Sequence, residues 1–176
     1  MNMVQDLAAR TLLVILVAAV VQDFMYMKIS NRLILMGILF SLAFGFMTGG
    51  LRQVLYVLVN ISFPVFVLYL FYLLGVLGAG DIKLFSIIGG FTNFRLLISC
   101  MFFSFVAAAV IAVCKMLYNR NFCGSLLRAG IYFRSLRQEG IVSYHKEWAE
   151  HRNLMHFSVA ILIGYIAAVA VQVLRK

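Results

Sequence analysis

Gly78-Ala79-Gly80-Asp81-Ile82-Lys83-Leu84 lies at the junction of two strongly apolar runs, Ile61 to Leu77 and Ile82 to Phe91. An acid in or at the edge of a bilayer is costly, roughly 2.5–3.5 kcal/mol at a helix centre on insertion scales, which makes Asp81 a candidate functional residue from the outset. Gly78 and Gly80 let the backbone turn tightly and let another chain approach closely. Asp81 is then placed to start the following helix as its N-cap, accepting hydrogen bonds from the first free amides. On these residues alone, a glycine-rich interhelical loop with a capping aspartate satisfies the pattern equally well.

Outside this stretch the chain is overwhelmingly apolar. Of its 176 residues, 64% are hydrophobic and 12% charged, with a mean hydropathy of +1.02. Soluble domains run at about 45–50% apolar and about 25% charged. The composition predicts an all-α polytopic membrane protein and leaves no room for a large soluble domain. With one proline, Pro64, no low-complexity tract and no repeat, residues 1–176 read as a single membrane-embedded domain. The first apolar run is too long for a cleaved signal and lacks Ala-x-Ala-type cleavage chemistry, so it reads as a retained span. Cys100, Cys114 and Cys123 form no CxxC pair and are expected to be small buried hydrophobes. The net charge of +9 sits between the apolar runs. It fits membrane topology and gives no reason to expect a nucleic-acid partner.

A hydrocarbon core of about 30 Å takes roughly 20 helical residues to cross. Val4 to Gln22 is such a run. Leu33 to Met47 is a second, ended by Gly49-Gly50. Val54 to Leu77 is a third, with Pro64 as an expected kink, and Leu96 to Leu117 and Leu154 to Leu174 are two more. Ile82 to Phe91 is short for a crossing, so charge decides whether it spans. If it does, six helices place Lys28, Arg32, Lys83, Lys115, Arg120, Arg128, Arg134, Arg137, Lys146 and Arg152 on one side. Arg10, Arg52, Arg95, Arg175 and Lys176 fall on the other. The positive-inside rule makes the first side cytoplasmic, with both termini outside. A re-entrant run would reverse the bias.

Residues 118–152 form the one sizeable polar region, a basic loop that this topology makes cytoplasmic. Leu126 to Arg137 shows no single apolar helical face, because Arg128, Arg134 and Arg137 fall among the apolar positions. The loop reads as lying on the anionic cytoplasmic leaflet, with contact to a partner or substrate as the sharper alternative.

From Thr11 to Leu117 the only acidic residues are Asp23 and Asp81, and the topology puts both on the cytoplasmic side. Asp6 lies 17 residues before Asp23, about 25 Å along a helix, and so faces the opposite interface. Two carboxylates together in a poorly solvated place do not both ionise readily, and such a pair shares a proton. One then acts as base toward a water while the other, protonated, polarises a peptide carbonyl, as in aspartic proteases. Two unrelated interfacial aspartates, hydrated or capping helices, remain an equal reading of these residues. No Gly-x-Ser-x-Gly elbow, HExxH or Walker-type loop is present, and the spacing of His145, His151 and His156 does not suggest a metal site.

Asp23-Phe24-Met25-Tyr26-Met27-Lys28-Ile29-Ser30-Asn31 resembles the first-aspartate signature of the type IV prepilin peptidases, in which an aspartate precedes a short basic segment and Ile-Pro-Asn. Gly78 to Leu84 resembles that family's second signature, Gly-x-Gly-Asp-x-Lys-Leu. The two occur in the family's order. Ser30 departs from the usual proline, and His156-Phe157-Ser158-Val159 stands where the family often has Pro-Phe-x-Pro. Without CxxC pairs, the chain resembles the short, peptidase-only members that serve Tad/Flp-type pili, competence-type pseudopili or archaeal flagellins.

The resemblance implies a GxGD-type membrane aspartic endopeptidase that needs no metal or cofactor. It would remove the basic leader from a prepilin-like membrane protein, after a glycine or similar small residue, at the cytoplasmic face of a prokaryotic plasma membrane. Asp23 and Asp81 would share the acid–base work. Gly78 and Gly80 would give the substrate backbone room, and Lys28, Asn31 and Lys83 would help position the site. Other readings are a presenilin-like intramembrane protease, a proton-coupled transporter and a non-catalytic assembly factor. Both aspartates lie at one interface and not at several depths, which disfavours a proton relay.

Overall fold

The apolar runs read from the sequence coincide with helices, the form in which a chain in lipid satisfies its own backbone polar groups. The computed structural model describes residues 3–27, 29–74, 77–118 and 157–175. These contain helices α1 (Met3–Tyr26), α2 (Asn31–Leu73), α3 (Ala79–Phe91), α4 (Phe94–Tyr118) and α5 (Phe157–Leu174), and no strand. The all-α expectation holds. Most of the basic loop, Cys123 and the three histidines lie outside the described residues. The chain divides into two compact units, one of Met1–Ala108 with His156–Lys176 and one of Ala109–Met155. The contacts below belong to the first.

Helix α2 has 43 residues and would measure about 65 Å if straight, twice a hydrocarbon core. It is not straight. Helical dihedrals fail at Gly49 (φ −153°, ψ 17°) and Gly50 (φ 62°, ψ −150°) and are kept at Pro64. The Gly50 conformation belongs essentially to glycine. The arms on either side of it face each other: a Cβ on Gly45 would lie 3.0 Å from Val57 Cγ2, and one on Gly90 of α3 would meet both Ser41 and Ile61. The double glycine therefore ends the second run, as read from the sequence, by folding α2 into a hairpin.

Helix α3 packs against both arms. Its residues Ile82 and Leu84 to Gly90 are all buried, as expected for a helix that is apolar all round. Gly89 is required by contact, since a Cβ there would strike the carbonyl oxygen of Asn60. Asn60 Nδ2 also donates to Thr92 O at 3.2 Å. Leu12, Leu16 and Ala19 of α1, Ile161, Tyr165 and Ala168 of α5, and Leu97 and Cys100 of α4 join α3 in one core. Large side chains such as Phe66, 81% exposed, point outward, where lipid tails are as apolar as a protein interior. Cys100 is buried as expected, whereas Cys114 is exposed.

Four described helices, α1, α2, α4 and α5, are long and apolar enough to cross a membrane, so the chain is a multi-pass membrane protein. The expected six crossings are reached only if both arms of α2 and the 13-residue α3 each count as one. At about 20 Å, α3 is short for that.

Candidate active site

Asp23 lies three residues before the end of α1, continuing the stripe of Leu12, Leu16 and Ala19 that faces the core. Spacings of four, three and four residues keep these positions on one helical face. The helix closes with a bond from Met27 N to Asp23 O at 3.0 Å, and Met27 takes a positive φ of 51°. The Asp23 carboxylate, half-buried, accepts a hydrogen bond on Oδ2 from Ser158 Oγ of α5 at 2.6 Å.

Asp81 sits one turn into α3. The expected N-cap role is corrected here: Gly78 is the N-cap and Asp81 is the third helical residue. Its Oδ2 reaches back to accept from Gly78 N at 3.1 Å. Glycine has no side chain to return the bond, so only one half of a reciprocal capping box forms. A carboxylate in the first turn is also favoured by the helix dipole.

The segment between α1 and α2 is held against this first turn of α3. Ser30 N donates to Gln22 Oε1 at 3.0 Å. The Ser30 hydroxyl, standing where the family pattern has proline, accepts from Arg32 N at 3.3 Å as the N-cap of α2. Lys83 Nζ donates to Asn31 Oδ1 at 2.9 Å, joining two residues singled out from the sequence. Ile29 packs on Gly80, its Cδ1 3.3 Å from where a Cβ would sit. The space beside Gly80, expected to receive substrate, is thus filled on that side by the chain itself. Lys28 lies outside the described residues.

Helix α5 contacts both the end of α1 and the start of α3. Phe157, next to Ser158, meets Phe85 edge-on with ring centroids 6.3 Å apart, and Phe85 lies one turn beyond Asp81. Phe105 of α4 stacks on Phe85 at 6.4 Å and contacts Phe157 at 5.9 Å. Aromatic pairs of this kind are worth about 0.5–1.5 kcal/mol beyond their burial. The end of α1 and the start of α3 are therefore each fastened to α5 and to the segment that joins α1 to α2.

Sequence reasoning did not find Ser158, Gln22 or Ile29. For Ser158 a signal existed, a hydroxyl in an otherwise apolar run, within the four residues that depart from the Pro-Phe-x-Pro pattern. Among the described residues, no three His, Cys, Asp or Glu side chains cluster.

No curated protein and no solved structure matches the chain. A family model does, and its match includes both aspartates and both signature stretches. Residues 11–113 match the model of the Type IV leader peptidase family, and the chain belongs to that family.

Proposed function

We propose that this family member is an aspartic endopeptidase that removes the basic leader from a prepilin-like precursor at the cytoplasmic face of a prokaryotic plasma membrane. One observation carries the reading. The family-matched residues 11–113 contain no histidine, no glutamate and only two aspartates, Asp23 and Asp81. Within that region they are the only carboxylates, and there is no imidazole to activate a serine or cysteine.

In this mechanism one carboxylate takes a proton from water as the water attacks the scissile carbonyl. The other, protonated, donates to the carbonyl oxygen as it gains charge. Collapse of the tetrahedral intermediate breaks the C–N bond, and the departing amine takes the proton that the first carboxylate had gained from water, while the carbonyl oxygen returns its proton to the second. The products are the leader carboxylate and a new N-terminus. Were both arms of α2 and the short α3 each to cross, the catalytic end would lie on the more basic side of the membrane. Lys83 and Asn31 brace the corner, Gly80 admits Ile29 against the first turn of α3, and an extended leader junction would pass Gly78 and Gly80 on a face of that turn that Ile29 leaves open. The precursor's apolar helix would stay in the bilayer beside the enzyme.

The test is purified protein in detergent with a pilin-like precursor encoded beside it, chelator present and ATP absent, followed by mass analysis. Release of a leader peptide supports the proposal. No cleavage, together with aspartate-dependent proton flux in liposomes, replaces it with the transporter reading.

A further inference from the structure

Ser158, the second residue of α5, is 1% exposed. A hydroxyl buried among apolar side chains needs a partner, and in a helix the usual one is a backbone carbonyl three or four residues back. The other serines and threonines of the described helices take that option: Thr11, Ser41, Thr48, Ser62, Ser86, Ser99 and Ser104 each donate to such a carbonyl. Ser158, at the start of α5, has no residue of its own helix three or four places back; its hydroxyl donates to Asp23 Oδ2, across 135 residues, at 2.6 Å. That is a short O–H···O bond.

We infer that Ser158 is a positioning residue for Asp23. The terminal torsion of an aspartate is soft, and one short bond to Oδ2 sets the plane of the carboxylate and hence the direction in which Oδ1 faces. The inference rests on the reading of Asp23 as one of the working pair. It goes beyond the family match, which ends at residue 113. The Pro-Phe-x-Pro pattern, for its part, leaves the position of Ser158 unspecified.

The test compares wild type, Ser158→Ala, Ser158→Thr and Asp23→Asn as full-length protein, cleaving the same co-encoded precursor. Ser158→Ala is expected to lower kcat by about 10- to 100-fold, the range for a hydrogen bond to a charged group, with KM unchanged. Ser158→Thr keeps the hydroxyl and should restore most of kcat. Should its extra methyl lower the thermal midpoint, Ser158→Cys replaces it, being similar in size with a weaker donor; an intermediate rate is expected. Wild-type kcat in Ser158→Ala overturns the inference, as does failure of a well-folded Thr or Cys variant to exceed it. If Asp23→Asn still cleaves, the two-aspartate reading itself falls. An inactive Asp23→Asn beside a fully active Ser158→Ala removes the role of Ser158 alone.

Discussion

Lys83 Nζ and Asn31 Oδ1 meet at 2.9 Å across 52 residues, pinning the start of α2 to the first turn of α3. Each belongs to one of the two aspartate stretches, so the bond ties the two signatures together.

Breaking this bond should impair cleavage without unfolding the protein. Both residues are exposed, and a hydrogen bond of this kind contributes about 0.5–1.5 kcal/mol, so Lys83→Ala and Asn31→Ala are each expected to reduce kcat/KM by roughly 2- to 10-fold. Because they act through one contact, the double variant should be little worse than either single one. Fully additive losses in the four-variant cycle would mean the two residues work separately.

Removing either carboxylate should be far more severe. On the proposed mechanism Asp23→Asn and Asp81→Asn are each expected to abolish cleavage while the protein still inserts, and the double variant should be no worse, as expected of two groups that act as a unit. A working pair with one proton also requires wild-type activity to fall at both acid and alkaline extremes. Substantial turnover by either single variant takes that residue out of the mechanism.

Gly80 offers a graded test. Ile29 Cδ1 lies 3.3 Å from the position of a Cβ, and the end of a flexible side chain can yield a few tenths of an ångström. Gly80→Ala should therefore retain much of the activity, while Gly80→Val, bulkier and β-branched, should displace Ile29 and strongly impair cleavage with both aspartates intact. Equal rates for the two variants would show that this contact is not what matters.

At the hairpin bend the expectation reverses. Gly50→Ala forces a side chain into a conformation with φ 62° and ψ −150°, at a cost of about 1–3 kcal/mol. The bend is at the far end of the α2 arms from Asn31, so thermal stability in detergent should drop while cleavage at low temperature persists. An unchanged thermal midpoint would mean that the bend relaxes without loss.

Orientation is open to labelling in a variant lacking the three native cysteines. A cysteine replacing Thr48, exposed beside the bend, should react with an impermeant reagent added outside intact cells. One replacing Ser135, which lies outside the described residues, should be protected. The opposite pattern would place the two aspartates on the wrong side for a cytoplasmic leader.

The sequence by itself determined what depends on local chemistry and on the bilayer as solvent. Long apolar runs had to be helices because lipid offers backbone groups no partners. Gly49-Gly50 could be read as the end of the second run, because glycine alone readily takes the conformation found at Gly50, although the equally paired Gly89-Gly90 stays helical within α3. Asp23 and Asp81 stood out because acids are rare in such runs. The tertiary structure alone decided which faces meet: Ser158 on Asp23, Ile29 on Gly80 and Phe157 on Phe85. It also moved Asp81 from the expected N-cap into the first turn of α3, and left Cys114 exposed where burial was expected. The reason is that a soluble helix announces its buried face by its apolar stripe, whereas lipid and protein interior are equally apolar. A membrane helix that is hydrophobic all round carries no such mark, and its rotation is set by close packing and by polar bonds between residues far apart in the chain.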